Sequence, residues 1–178
     1  MRPWQRTGDE VVATLEPQEA QLLRVMIDQI RELFAARTAQ APVDELAALT
    51  GIRSGPSTAP DDRVLARLLP DFTRDDDVLA GGLRSLHEPE LIDAKDGVAA
   101  VVLRTCPPDG GAVRLDDEQA AAWLSAINDV RLALGTVLEV SEDMPDELPR
   151  EDPRSAHLGV YHWLTYMQES LVLAVSGE

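Results

Sequence analysis

Arg131 is the residue whose position most invites chemistry. It lies in a segment where Ala120, Trp123, Ile127, Leu134 and Leu138 recur at helical spacing. At about 100° per residue these fall within about 40° of Ile127, and Arg131 falls on the same stripe. A guanidinium carried into an apolar stripe needs partners. Asn128 lies one turn back at the stripe's edge. Gln168 falls in the stripe of the last helix beside Val160, Leu164, Met167 and Leu171. Arg131, Asn128 and Gln168 therefore read as a polar cluster. It is either a satisfied network that sets helix register or a ligand-binding or catalytic cluster. An Arg131 sealed in the core is the preferred expectation; an Arg131 reaching an open pocket would mark a ligand site.

Other reactive side chains offer less. His157 and His162 are five apart, roughly 140° around a helix, so they do not share a face with each other, and His87 stands far away in sequence. With no cysteine pair beside them, no metal site is expected. Glu88, Glu90 and Asp93 flank Pro89 and read as solvated charges at a helix break rather than an acid–base pair. Cys106 is the only cysteine, which excludes an intrachain disulfide. It follows a helix and precedes Pro107, with only Arg104 as a cation close in sequence, so an ordinary thiol is expected and Cys106 is a weak redox candidate. The sequence holds no nucleophile elbow, zinc-protease helix, Walker lysine or dinucleotide glycine motif. No catalytic residue and no cofactor are expected, and the protein reads as a non-enzyme.

The charge balance narrows the partners. The 178 residues carry 32 Asp and Glu against 16 Lys and Arg, a net charge of −16. Phosphate neutralisation requires a basic footprint, and none is evident, so no specific DNA binding is expected. The stretch 139–152 alone holds seven acids. Glu142, Asp143, Asp146 and Glu147 could there steer a basic protein surface, with Trp163 at the margin of its helix stripe as a further contact. A homodimer is compatible with the same surfaces. No apolar run reaches the roughly 20 residues of a membrane span, and the N-terminus has no apolar signal region; a soluble, cytoplasmic protein is expected.

The elements that must position these residues follow from periodicity and punctuation. Residues 11–15 and 112–115 read as short strands. Glu16-Pro17 opens a helix to about Arg37, and Asp116, with Gln119 three residues on, opens another to about Leu138. The two units echo each other at an offset of 100 residues, matching Leu15 with Leu115, Ile27 with Ile127 and Arg31 with Arg131. Such a pair can form a two-stranded ribbon with its helices side by side. Further helices are expected over 43–50, from Asp62 to before Pro70, from about Asp75 to Pro89, from Glu90 to Arg104 and over 153–176, with Pro89 forcing a break or kink. The expected architecture is all-α, a compact helical domain of five to six helices with at most a small two-stranded β ribbon. It is expected to span 1–178 as one domain, with mobile loops near 51–61 and 139–152.

Several phrases carry a resemblance: VLARLLPD (64–71), WLSAINDVRLALGTVLEVSED (123–143), YHWLTYMQESLVLAV (161–175) and the start Glu19 to Leu23. The run Asn128 to Gly135 is the most specific. The chain resembles an actinobacterial domain-of-unknown-function family that includes the actinobacterial oxidative-stress regulator. The resemblance implies a cytoplasmic regulator that contacts the transcription machinery, in particular a sigma factor or RNA polymerase. It also links the family to regulated proteolysis through neighbouring genes. The redox mechanism described for the regulator uses a cysteine pair, from which this chain, with Cys106 alone, departs. The leading expectation is a non-enzymatic regulator of transcription or stress response acting by protein–protein contact. The alternatives are a ligand-binding or catalytic helical domain built on Arg131, and an accessory factor in regulated proteolysis.

Overall fold

The computed structural model describes residues 1–42, 50–51, 53–141, 143–145, 148–149 and 151–177. In chain order the elements are β1 (Arg2–Thr7), β2 (Glu10–Leu15), α1 (Pro17–Thr38), α2 (Arg63–Leu68), α3 (Asp77–Thr105), β3 (Gly111–Leu115), α4 (Asp117–Leu138) and α5 (Ser155–Ser176). Helices dominate, and the strands form one small antiparallel sheet in the order β1-β2-β3. The helix expected over 43–50 lies, Thr50 apart, outside the described residues.

The echoing strands do pair: Val11 faces Leu115 and Leu15 faces Gly111. Val11, Ala13 and Leu15 of β2 and Val113 and Leu115 of β3 point into the core, the period-2 alternation of a one-sided sheet. The turn into β3 is tight against the start of α1. Gly110 has φ +74°, and a Cβ there would stand 2.6 Å from the Pro17 nitrogen, so only glycine fits. The echoing helices α1 and α4 touch, but each packs more extensively on α3 than on the other.

The ribbon gains a third strand that sequence periodicity did not reveal. β1 carries one buried side chain, Trp4, among polar residues. Trp4 meets Trp123 edge-on at 5.2 Å between ring centroids, a favourable aromatic geometry. The β1–β2 register shifts between Arg2 and Gln5, where Pro3 cannot serve a regular ladder. α5 packs alongside β1, and Arg6 donates to the Ala174 carbonyl (3.1 Å) and to Asp117 (2.6 Å). One apolar residue in a six-residue strand leaves no alternation to read.

The break expected at Pro89 does not occur: α3 runs unbroken from Asp77 to Thr105. The proline removes the donor that would bond the Ser85 carbonyl. That carbonyl instead accepts from the Gly55 N–H at 2.7 Å, and Ser85 Oγ donates back to the Gly55 carbonyl at 2.9 Å. A Cβ on Gly55 would stand 3.1 Å from Pro89 Cγ. The segment expected as a mobile loop thus docks in the notch the proline makes, with Gly55 and Pro60 buried.

Beside Pro89, Glu88 is fully buried rather than solvated. Its carboxylate accepts from Arg37 Nε at 2.6 Å and from Arg84. Both guanidiniums are buried as well, with Arg37 also donating to the Thr58 carbonyl and Arg84 to the Leu69 carbonyl and Asp71. Of its sequence neighbours, Glu90 is exposed, and Asp93 pairs with Arg53 at the surface. A second polar tie, Lys95 Nζ to Asp129 at 2.6 Å, joins α3 to α4. Burial pushes the Asp129 carboxyl up, and Lys95 opposes that.

Two predictions follow from α3. Gly55→Ala should destabilise the protein by about 1–3 kcal/mol through overpacking against the proline ring. Combining it with Pro89→Ala should recover most of that loss, measured as a coupling in urea unfolding. Glu88→Ala should cost about 3–5 kcal/mol, because it leaves two buried guanidiniums without their carboxylate; the same unfolding midpoint checks it.

Candidate functional site

Arg131 does not lie sealed in the core. It is half-buried and lines a surface cleft of about 380 Å³ between α2, α4 and α5. Its long side chain carries the head out of the apolar stripe toward water. Nε donates to Thr165 Oγ1 at 3.2 Å, and Nη1 donates to Gln168 Oε1. The guanidinium carbon sits 5.4 Å from the Tyr161 ring centroid, a cation–π contact. Gly135 makes room for that ring, since a Cβ there would touch Tyr161 at 3.3 Å. Arg131 and Gln168 therefore meet as the helix phases require. Asn128, one turn back on α4, is half-buried and takes no part in these hydrogen bonds.

Two arginines that sequence reasoning missed share the cleft. Arg63 and Arg67 stand one turn apart on α2, on one face. Arg63 pairs with Glu139 at 3.0 Å, both side chains exposed. Arg67 is exposed and makes no ion pair among the described residues. Glu139 ends α4 at φ 55°, the one non-glycine described residue with positive φ. The i,i+4 arginine spacing was readable in the sequence. Its meaning was not, because a helix of six residues does not announce which neighbour it packs on.

A second surface feature lies on the N-terminal half of α3. Val78, Leu79 and Leu86 are 87%, 52% and 55% exposed, and Gly82 lies between them on the helix surface. Phe72, also exposed, stacks at a tilt on His87 with 5.9 Å between centroids. Exposed acids flank this face along the chain, Asp75, Asp76 and Asp77 at the start of α3 and Glu90 one turn beyond Leu86, with exposed Arg74 just before them; Asp71, also exposed, is held by Arg84.

The remaining expected residues are dispersed. Trp163 packs at the core margin, and its indole N–H is buried with no hydrogen-bond partner among the described residues. Asp143 is exposed, while Glu142, Asp146 and Glu147 lie outside the described residues. Cys106 is buried against the Ala20 carbonyl. Burial pushes its thiol up, against the opposing pull of Arg24. Arg24 also caps the end of α3, donating to the Leu103 and Cys106 carbonyls at 2.6 and 2.7 Å. Among the described residues no group of three or more His, Cys, Asp or Glu could hold a metal ion, and no helix is long and apolar enough to cross a membrane.

Residues 1–175 match a family described as a domain of unknown function, DUF2017. The chain belongs to this family. Among its relatives, a protein of Mycobacterium tuberculosis named oxidative stress regulator AosR is 42% identical over 194 aligned positions, covering 99% of this chain and 89% of the relative. A Mycobacterium bovis protein of the same name matches equally. A Mycobacterium leprae protein named putative oxidative stress regulator AosR is 41% identical, covering 98% of this chain and 88% of its own length. No solved structure matches the chain.

The buried, raised thiol generates a prediction. Native Cys106 should react with iodoacetamide far more slowly than a free thiol, because the thiolate is the nucleophile. Its labelling rate, followed by mass spectrometry, should rise only as urea unfolds the protein.

Proposed function

We propose that the protein is a non-enzymatic regulator of the oxidative stress response that acts by binding another protein in the cytoplasm. The observation that carries this reading is the similarity along nearly the whole chain to relatives named oxidative stress regulator. With a single cysteine, buried and of raised pKa, the signal does not enter through an intrachain disulfide.

The apolar face of α3 supports the contact reading. Exposed valine and leucine side chains in a row are what a partner helix would cover. The acids beside them along the chain favour a partner with Lys or Arg flanking its own apolar stripe. A sigma factor, or another RNA polymerase subunit with a basic face, has that chemistry. The acidic stretch with Glu142, Asp143, Asp146 and Glu147 would add long-range attraction, and Trp163 stays a candidate contact. A second reading, a ligand-binding helical domain, is favoured by Arg131 opening onto the cleft instead of into the core.

The test is association of the purified protein with RNA polymerase holoenzyme of an actinobacterial host. Binding should weaken as salt rises, and Leu79→Asp with Leu86→Asp should abolish it while leaving the circular dichroism unchanged. Neutralising the four acids of 142–147 should slow association and flatten its salt dependence. Absence of binding, or binding indifferent to the leucine changes, would overturn the reading.

A further inference from the structure

We infer that the cleft between α2, α4 and α5 is a binding site for a phosphate dianion, free or carried as a small phosphomonoester, with Arg131, Arg67 and Arg63 as its ligands.

The first support is the accounting of charge. Acids outnumber cations two to one in this chain, 32 to 16. Carboxylates are therefore plentiful, and eight of the fourteen described arginines take one: Arg6, Arg31, Arg37, Arg53, Arg63, Arg84, Arg114 and Arg154. Of the other six, Arg2, Arg74 and Arg104 are exposed like Arg67, and Arg24 is spent on backbone carbonyls, which leaves Arg131 as the half-buried one on a cleft. Arg131 takes none among the described residues; its donors go to a hydroxyl and a carboxamide oxygen. Arg67, across the same cleft, takes none either. The charged groups lining the cleft are thus three arginines against one described carboxylate, Glu139, in a protein where acids prevail.

The internal echo sharpens the contrast. Arg31 holds the position in α1 that Arg131 holds in α4, and Arg31 is engaged by both oxygens of Asp96, at 2.6 and 3.1 Å. At the second position the anion is missing from the fold, while the guanidinium is still held in place by Thr165, Gln168 and the Tyr161 ring. Such fixing lowers the entropy lost when an anion arrives, and a guanidinium fork matches phosphate geometry.

The shape and chemistry of the cleft select the anion. A volume of about 380 Å³ lies in the range of small-molecule sites. Arginines approach from two helices, which suits a tetrahedral, doubly charged group better than a planar carboxylate satisfied by one fork. Leu132, Val140 and Tyr161 supply apolar wall beside the charged end. The one described carboxylate in the cleft, Glu139, holds Arg63 and so competes with the ligand for it.

The experiment is a titration of the isotope-labelled whole protein with inorganic phosphate and, separately, phenyl phosphate, at constant ionic strength set with sodium chloride. Amide shifts should move saturably in α2, the C-terminal half of α4 and the first turns of α5. Arg67→Gln, at an exposed position, should weaken binding about tenfold, and Glu139→Gln should tighten it by releasing Arg63. Tighter binding of phenyl phosphate assigns a phosphomonoester, and equal binding assigns free phosphate. Shifts that do not saturate, that chloride reproduces, or that remain the same in Arg67→Gln would overturn the proposal.

Discussion

Glu88 is a carboxylate with no access to water, held between two equally buried guanidiniums. A charge in that position is tolerable only while both partners stay in place, and those partners reach in several directions. Arg37 ties the end of α1 and the 53–60 segment to it. Arg84 ties the chain that leaves α2, through Leu69 and Asp71. α2 is only six residues long and has little helical stability of its own. Its placement depends on the contacts around it, and Arg63 and Arg67 reach the cleft because of where it is placed. The buried ion network and the surface arginine cleft are therefore linked through one short helix.

Pro89, beside Glu88, shows how a local defect becomes a contact. Without the 53–60 segment, the Ser85 carbonyl would lack its usual helical donor, and α3 would have cause to bend there. The Gly55 amide supplies the donor, and the absence of a side chain at Gly55 lets it approach the proline ring. The result is a long continuous helix that both α1 and α4 use as a packing surface. Its first half carries the exposed apolar face, so the element that organises the core also offers an interaction surface.

Arginine is divided between two uses in this acidic chain. In the interior, paired to Glu88, it ties elements together. At the cleft, held by neutral oxygens and an aromatic face, it keeps its charge available. Membership of the DUF2017 family says nothing by itself about either use. It is the geometry that separates an arginine serving the fold from one open to a ligand.

Much of the architecture was legible in the residues. The caps at Asp116 and Asp62, the ribbon of residues 11–15 with 112–115, and the stripes of α1, α4 and α5 follow from periodicity and turn chemistry, which act over a few residues. The phase of Arg131 and Gln168 toward each other was legible for the same reason. Arg37 was equally readable, since it continues the buried series Leu23, Ile27, Ile30 and Phe34, yet its partner Glu88 lies 51 residues away beside a proline that marks a helix break. Three matters were decided only by the tertiary structure: the continuity of α3, the pairing of β1 and the opening of Arg131 to solvent. Each depends on a group brought from a distant part of the chain: Gly55 to Ser85, Trp123 to Trp4, and α2 to the side of α4. Local sequence determines which face of an element is apolar and where the element ends. It does not determine which polar partner stands opposite a long side chain, because that partner is chosen by packing and not by spacing.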